Sequence, residues 1–121
     1  NRGHIARAAQ EGIVFALHYG VEVMKKMGMG IATVRAGHAN MFLSDVFSSV
    51  FVNSIGCELE LYNTDGATGA ARGAGIGAGV YKNFVEAYSS MEKIKSYSSV
   101  KEDQEIYVEA YNKWKKQLKK L

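Results

Sequence analysis

The spacing of hydrophobic and polar residues changes along the chain and predicts helices and strands in turn. From about residue 4 to residue 27, apolar positions recur at i, i+3, i+4 and i+7, which predicts a helix with a core-facing stripe. The stripe consists of Ile5, Ala8, Ala9, Gly12, Ile13, Ala16, Leu17, Met24 and Met27. Gly28 and Gly30 then predict the end of this helix.

Two strands are predicted in the middle of the chain, each followed by a turn and a helix. Residues 31–36 have the character of a buried strand, and residues 57–62 alternate apolar with acidic side chains. A helix lies between them and is expected to stop near Gly56, and another begins after Asp65, a suitable N-cap. Apolar positions of the first of these helices are Leu43, Val46, Phe47, Val50 and Phe51. The pattern predicts an α/β fold built on a right-handed, parallel βαβ unit with flanking helices.

The last third of the chain has a weaker pattern. Residues 82–98 show only helical potential near residues 87–94. Residues 99–102 read Ser-Val-Lys-Glu, a capping box that predicts the start of a final helix. Its apolar stripe is Tyr107, Tyr111, Trp114, Leu118 and Leu121.

Two strands are too few for a stable sheet, because a two-stranded sheet is marginal in water. The chain has 121 residues, enough for one domain, and starts at Asn1 without an initiator methionine. We therefore expect a piece of a larger protein, with neighbouring strands upstream. The strand at residues 31–36 would keep an unpaired edge, which predicts either self-association into a homodimer or a poorly protected strand.

Composition excludes several classes of function. Cys57 is the only cysteine, so no internal disulfide can form, which fits a cytoplasmic protein. No run of 18 apolar residues exists, and we predict no membrane contact. No G-K-[ST] motif exists, which excludes a P-loop, and the absence of a proper G-x-G-x-x-G disfavours an NAD domain. The histidines His4, His18 and His38 do not combine with Cys57 at ligand spacing, so we predict no metal site in the protein.

Both strands lead into turns that contain glycine. The first turn is residues 37–40 (GHAN) and the second is residues 63–66 (NTDG). Such turns let backbone N–H groups approach a ligand, and the following helix N-terminus favours an anion. Parallel strands place both turns at one edge of the sheet, where open α/β sheets bind ligands. The predicted nucleotide-binding residues are Gly37, His38, Ala39, Asn40, Gly66, Gly69 and Ala70.

These features also have structural interpretations. Gly37 could serve only a tight turn, and Arg7 with Glu11 forms an ordinary i, i+4 pair. Gly69, Gly73 and Gly77 form a stripe of small residues, and close helix packing is the favoured role of the last two.

The segments at residues 4–12, 35–43 and 65–74, taken in this order, resemble parts of the FGGY carbohydrate kinases. Residues 4–12 (HIARAAQEG) are similar to the family's "HLxRAxxEG" helix, and residues 35–43 (RAGHANMFL) fall where the family has its adenosine-binding "GGGAxS/N" turn. Residues 65–74 (DGATGAARGA) resemble the "ExxxxGAAxxA" helix. The turn departs from the family in having fewer glycines. Without a one-residue deletion, Met41 rather than Asn40 takes the family's polar adenosine contact.

The resemblance implies an actin-like (ribonuclease H-like) ATPase lobe. Residues 1–121 would be the C-terminal part of the nucleotide-binding domain, and the N-terminal sugar-binding domain would be absent. The implied function is the nucleotide-binding portion of an ATP-dependent sugar kinase, most similar to bacterial xylulose kinases and acting on D-xylulose, with Mg²⁺ bound through the nucleotide phosphates. The ligands would be a sugar and ATP. No catalytic residue is recognisable, because the family's base aspartate lies in another part of the molecule, and the fragment alone is expected to be inactive.

A second hypothesis is a freestanding binding module. Its basic C-terminal helix, with lysines at positions 113, 115, 116, 119 and 120, would contact nucleic acid or an acidic partner. A solvated helix face explains those lysines more simply, so we predict no nucleic-acid partner.

Overall fold

A computed structural model describes residues 1–120, which contain five α-helices and one three-stranded sheet. Leu121, the last member of the predicted final stripe, lies outside the described residues. The elements are α1 (Arg2–Lys26), β1 (Thr33–Gly37), α2 (Asp45–Ile55), β2 (Glu58–Tyr62), α3 (Gly66–Gly77), α4 (Phe84–Tyr88), β3 (Lys93–Tyr97) and α5 (Lys101–Leu118). A single 3-10 turn, Asn40–Leu43, lies between β1 and α2.

The predicted parallel pairing of the two strands around one helix is confirmed. Strands β1 and β2 are parallel, with Thr33 opposite Glu58 at one end and Gly37 opposite Tyr62 at the other. Helix α2 begins after Ser44, whose hydroxyl accepts a hydrogen bond from the Phe47 N–H. It ends at Gly56, which has a φ of 71°, a left-handed conformation that glycine adopts without strain.

Strand β3 was not predicted, and the expected helical character of residues 93 and 94 is wrong. The strand pairs antiparallel with β2, with Tyr97 opposite Leu59. Its residues are mostly exposed, so no alternation of apolar residues marks it in the sequence. Glu60 on β2 binds both Arg35 on β1 (2.8 Å) and Lys93 on β3 (3.1 Å). The sheet order is β1-β2-β3, so β1 has an unpaired edge within residues 1–120.

One hydrophobic core lies between the sheet and helices α1, α2 and α5. Helix α2 is its centre, because every residue from Phe47 to Ile55 except Ser49 is buried. The predicted alternation of β2 is confirmed, since Leu59 and Leu61 are fully buried. On α5, Tyr107 and Tyr111 are buried as predicted, whereas Leu118 is exposed.

The predicted core-facing stripe of α1 is wrong. Of its large members, Ile5 is 72% exposed and Met27 is 70% exposed. The buried positions are instead Val14, Phe15, His18 and Val21. Helix α1 carries apolar residues on nearly all sides between residues 12 and 24, so periodicity could not identify the side that packs on α2 and α5.

His18 is a buried polar residue with defined partners. Its Nδ1 lies 2.9 Å from the hydroxyl oxygen of Ser54, and its ring stacks on Tyr111 with 3.9 Å between centroids. Burial lowers the pKa of His18 to about 4, so the imidazole is neutral at neutral pH. The side chain therefore joins α1, α2 and α5 without bringing a charge into the core.

The predicted capping box of α5 is wrong. The N-cap is Val100, and the Ser99 hydroxyl instead accepts a hydrogen bond from the Gln104 side chain at 2.7 Å. The Val100 N–H donates to the side-chain oxygen of Asn53 at 2.7 Å. A long-range contact to a buried residue of α2 therefore fixes the start of this helix.

Candidate functional site

The two glycine-containing turns touch each other at the C-terminal ends of β1 and β2. A Cβ atom on Gly37 would overlap the carbonyl oxygen of Thr64 and lie 2.9 Å from its carbonyl carbon. The His38 N–H donates to the Tyr62 carbonyl at 2.8 Å, which ties the first turn to the second strand. Both strands end in a γ-turn, a three-residue turn with an i→i+2 hydrogen bond. The Ala39 N–H donates to the Gly37 carbonyl, and the Thr64 N–H donates to the Tyr62 carbonyl.

The second turn is also anchored from the far side of the sheet. The Asn63 N–H donates to the carbonyl of Glu92 at 3.0 Å, and the Glu92 N–H donates to the Asn63 side chain at 2.8 Å. Arg72 on α3 donates to the Thr64 hydroxyl at 3.2 Å. The backbone of this turn is therefore held by α3 and by the residue before β3.

A cleft of about 260 Å³ opens beside the joined turns. We call it the turn cleft, and it lies between α1, the end of β1, the 3-10 turn and the start of α3. It is lined by Ile13, Leu17, Ala36, Gly37, Ala39, Asn40, Met41, Phe42, Phe47, Asp65 and Gly66. Four of the residues predicted from sequence, Gly37, Ala39, Asn40 and Gly66, therefore lie on one surface.

The other three predicted residues do not line the turn cleft. His38 is partly buried beside it and contributes its backbone N–H to the contact between the turns. Gly69 donates its N–H to the Asp65 carbonyl in the first turn of α3, and Ala70 is exposed farther along that helix.

The 3-10 turn forms one wall of the cleft. Asn40 has a φ of 52°, a left-handed conformation that asparagine tolerates better than most residues. Met41 and Phe42 follow it, and the Phe42 ring packs edge-on against Phe47 and Phe51 at 5.3 and 5.4 Å between centroids. Asn40 and Met41 both line the cleft.

Asp65 supplies the charge at this site. Its carboxylate accepts a hydrogen bond from the Thr68 N–H at 2.7 Å, which confirms it as the N-cap of α3. That bond lowers the pKa of Asp65, so the carboxylate is ionised at neutral pH. The carboxylate occupies part of the helix N-terminus and disfavours a second anion there. The cleft is therefore better suited to a neutral group than to a phosphate.

Sequence reasoning missed the apolar side of the site. Ile13 and Leu17 of α1 and Phe47 of α2 line the cleft but were expected only in the core. Their spacing predicted that these side chains pack against other residues, but it did not indicate which ones.

The predicted close packing on the glycine stripe of α3 is wrong within residues 1–120. A Cβ atom added to Gly69, Gly73 or Gly77 would meet nothing within 4 Å. The i, i+4 interpretation of Arg7 and Glu11 is confirmed, with Arg7 Nε 2.9 Å from Glu11 Oε1. Arg7 also donates to the hydroxyl of Tyr107 at 2.8 Å.

Residues 1–120 lack two other kinds of feature. No three histidine, cysteine or acidic side chains converge there as metal ligands. None of the helices in this range is both long and apolar enough to cross a membrane.

The chain is similar in sequence to a known sugar kinase. The chain is 34% identical over 90 residues to the L-xylulose/3-keto-L-gulonate kinase of Escherichia coli (strain K12), an alignment that covers 71% of this chain and 18% of that protein. No family model matches the chain.

Solved structures share the fold. The xylulose kinase from Rhodospirillum rubrum superposes with a TM-score of 0.79 at 21% identity, covering 100% of this chain and 25% of that one. The ligand-bound xylulose kinase from Lactobacillus acidophilus gives 0.76 at 17% identity, and the gluconate kinase of that organism gives 0.74 at 19%. Each of these two alignments covers 96% of this chain and 24% of the other. The chain thus spans about a quarter of these structures.

Proposed function

This chain is a relative of the FGGY carbohydrate kinases, similar to their xylulose kinases, and we propose that it is the C-terminal nucleotide-binding portion of an ATP-dependent sugar kinase. In this proposal residues 1–121 form the C-terminal part of the nucleotide-binding domain, and the sugar-binding domain lies outside them. The observation that supports it most is the contact between the two glycine-containing turns beside the turn cleft. Ligands of open α/β sheets bind at this edge.

The turn cleft would hold the adenosine part of ATP. Ile13, Leu17 and Met41 offer apolar surface to a planar base, while Gly37 and Gly66 let the backbone come close to it. The Asp65 carboxylate would keep the phosphates away from the N-terminus of α3. ATP with Mg²⁺ bound through its phosphates supplies the phosphoryl group in such kinases, where catalysis is mostly positioning and charge stabilisation.

The proposed acceptor is a hydroxyl of D-xylulose or a closely related sugar. The relatives are named for xylulose, 3-keto-L-gulonate and gluconate, so the proposed class of acceptor is a ketose or a sugar acid. Residues 1–120 offer no evident catalytic base. Asp45 binds Lys95 Nζ and the Tyr97 hydroxyl at 2.6 Å each, and Asp65 caps α3.

We expect ADP added to ¹⁵N-labelled protein to shift the amide signals of residues 37–40 and 66. Leu17→Glu should weaken this binding by about tenfold or more, because it places a charge in the apolar wall of the cleft. Val23→Glu is the matched control, since Val23 has a similar exposure (45% against 44%) on the same helix but does not line the cleft. An amide-shift titration of all three proteins measures the affinities.

Two results would argue against this site. ADP shifts confined to the Lys113–Lys120 segment would place the nucleotide elsewhere. Equal weakening by Leu17→Glu and Val23→Glu would show that the cleft itself makes no contribution.

We also expect residues 1–121 alone to have no sugar kinase activity, because they contain neither a candidate base nor a sugar-binding lobe. A coupled assay of ADP release with D-xylulose should give the same rate with and without the protein, whereas the full-length protein should be active. Release of ADP by this chain that depends on the sugar would contradict the assignment of the base to another part of the molecule.

A further inference from the structure

The C-terminal ends of three helices meet at the edge of the sheet opposite the turn cleft. Helices α1 and α5 run parallel, because Arg7 contacts Tyr107 near their starts and Glu22 binds Lys115 (2.8 Å) near their ends. Helix α2 ends at the same place, where Lys25 Nζ lies 3.5 Å from the carbonyl of Ile55. Since α1 and α2 lead into the starts of β1 and β2, this end is remote from the cleft.

The fold gathers positive charge at this end. Six lysines lie on the last turns of α1 and α5 or directly after them: Lys25, Lys26, Lys115, Lys116, Lys119 and Lys120. Within residues 1–120, Lys115 is the one of these six in an ion pair. Each helix C-terminus carries about half a negative charge, so three of them offset less than two positive charges. The helix C-termini therefore neutralise only a small part of the positive charge of the six lysines.

A surface concavity of about 370 Å³ lies on this side of α5. It is lined by Asn112, Lys115, Lys116 and Lys119. Lys115 is held in place, since it binds Glu22 and its Nζ lies 4.6 Å from the centre of the Tyr111 ring. Lys26 is one turn beyond Glu22 and Lys119 is one turn beyond Lys115, so both lysines lie at this end of the two helices, and Lys119 lines the concavity.

We propose that this concavity binds a small anion carrying two or more linked phosphates. Lysine ammonium groups are common phosphate ligands, and the Asn112 amide adds a neutral donor. Among residues 1–120, no aromatic or apolar residue lines the concavity, so the phosphates rather than an attached base or sugar would be recognised. Its volume suits a small molecule, and it is a site separate from the turn cleft.

Inorganic pyrophosphate is the probe that tests this site. In an amide-shift titration at about 50 mM NaCl, we expect shifts in residues 112–120 and in residues 25 and 26. Raising NaCl to about 200 mM should weaken binding, because salt screens the attraction between the exposed lysines and the anion. Lys116→Glu with Lys119→Glu should weaken binding by about tenfold or more.

The matched control is Lys82→Glu with Lys101→Glu, two exposed lysines outside the concavity that give the same change in net charge. Binding should change less than about twofold in this variant. If pyrophosphate binding weakened equally in both double variants, the effect would come from net charge alone, and the proposed site would be wrong. Sulfate binding as tightly as pyrophosphate would overturn the requirement for linked phosphates.

The ADP experiment separates this proposal from the nucleotide site. ADP also carries two linked phosphates, so in the parent protein it should shift residues 112–120 as well as residues 37–40 and 66. In the Lys116→Glu/Lys119→Glu protein the shifts of residues 112–120 should be lost, those of residues 37–40 and 66 should persist, and circular dichroism should show an unchanged fold. Pyrophosphate shifts confined to residues 37–40 and 66 would overturn the lysine site while leaving the turn cleft as an anion site.

Discussion

Gly37→Ala is expected to destabilise the fold by about 3 kcal/mol, the upper part of the usual range for added atoms in a packed region. The new Cβ would overlap the Thr64 carbonyl oxygen, which belongs to backbone and cannot swing away as a flexible side chain would. Thr64 is also fixed by Arg72 and by its own hydrogen bond to Tyr62. Relief of the overlap therefore requires the two turns to separate. Urea unfolding, followed by circular dichroism, gives the free energy of unfolding.

Gly73→Ala is the control for the same chemical change. Gly73 lies inside α3, and a Cβ there would meet nothing within 4 Å. Alanine should stabilise this helix by about 0.5–1 kcal/mol, because glycine is the poorer helix former. Opposite signs for the two substitutions are the expected result. A Gly37→Ala protein as stable as the parent would show that the turns are not in tight contact.

Phe47→Ala should cost about 3–5 kcal/mol, the usual loss for removing a buried aromatic ring. Phe47 is 1% exposed, lies in the first turn of α2 and contacts the ring of Phe42 edge-on. It also lines the turn cleft, so the vacated volume would open directly into the site. The free energy of unfolding should fall. Any ADP binding should weaken, because Phe42, which lines the cleft, would no longer pack against the Phe47 ring.

Phe84→Ala is the matched comparison, since Phe84 is 67% exposed on α4. Its ring stacks on Tyr88 at 6.3 Å, so a small loss of about 0.5–1 kcal/mol is expected. Similar losses from both substitutions would contradict the position of Phe47 in the core. The comparison thus tests whether the cleft depends on the hydrophobic core beneath it.

The two substitutions test two different supports of the proposed site. Gly37 determines how closely the turns approach each other, and Phe47 determines whether the wall of the cleft is rigid. Neither residue needs to react with a ligand. Both would nevertheless change binding, because a nucleotide pocket at a sheet edge depends on a fixed backbone.

Much of the fold could be predicted from local signals. The alternation of Leu59 and Leu61 with acidic residues marked β2, and Gly56 marked the end of α2 through its left-handed conformation. Asp65 marked the start of α3, because its carboxylate satisfies a backbone N–H that the helix leaves free. In each case the physical cause acts within a few residues of the chain. The predicted glycine turns came from the same kind of signal.

The candidate site was predicted in part. Gly37, Ala39, Asn40 and Gly66 come together because parallel strands place successive turns at one edge. His38, Gly69 and Ala70 share the same sequence segments but do not line the cleft, since helix rotation and backbone hydrogen bonds orient them differently. Ile13 and Leu17 lie 20 or more residues before the first turn along the chain, and no local motif connects them to the turns.

By itself, the sequence determined the order of the main helices and strands, their turns and the family resemblance, because caps, glycines and short periodicities act locally. Only the tertiary structure decided the buried face of α1, the strand β3 and the gathering of lysines at one end. Helix α1 is apolar on nearly all sides, so its orientation depends on the shapes of α2 and α5. Strand β3 is mostly polar and forms because β2 offers backbone hydrogen bonds and the carboxylate of Glu60. The lysines meet because α1 and α5 run parallel, a relation between segments about 90 residues apart that no local pattern contains.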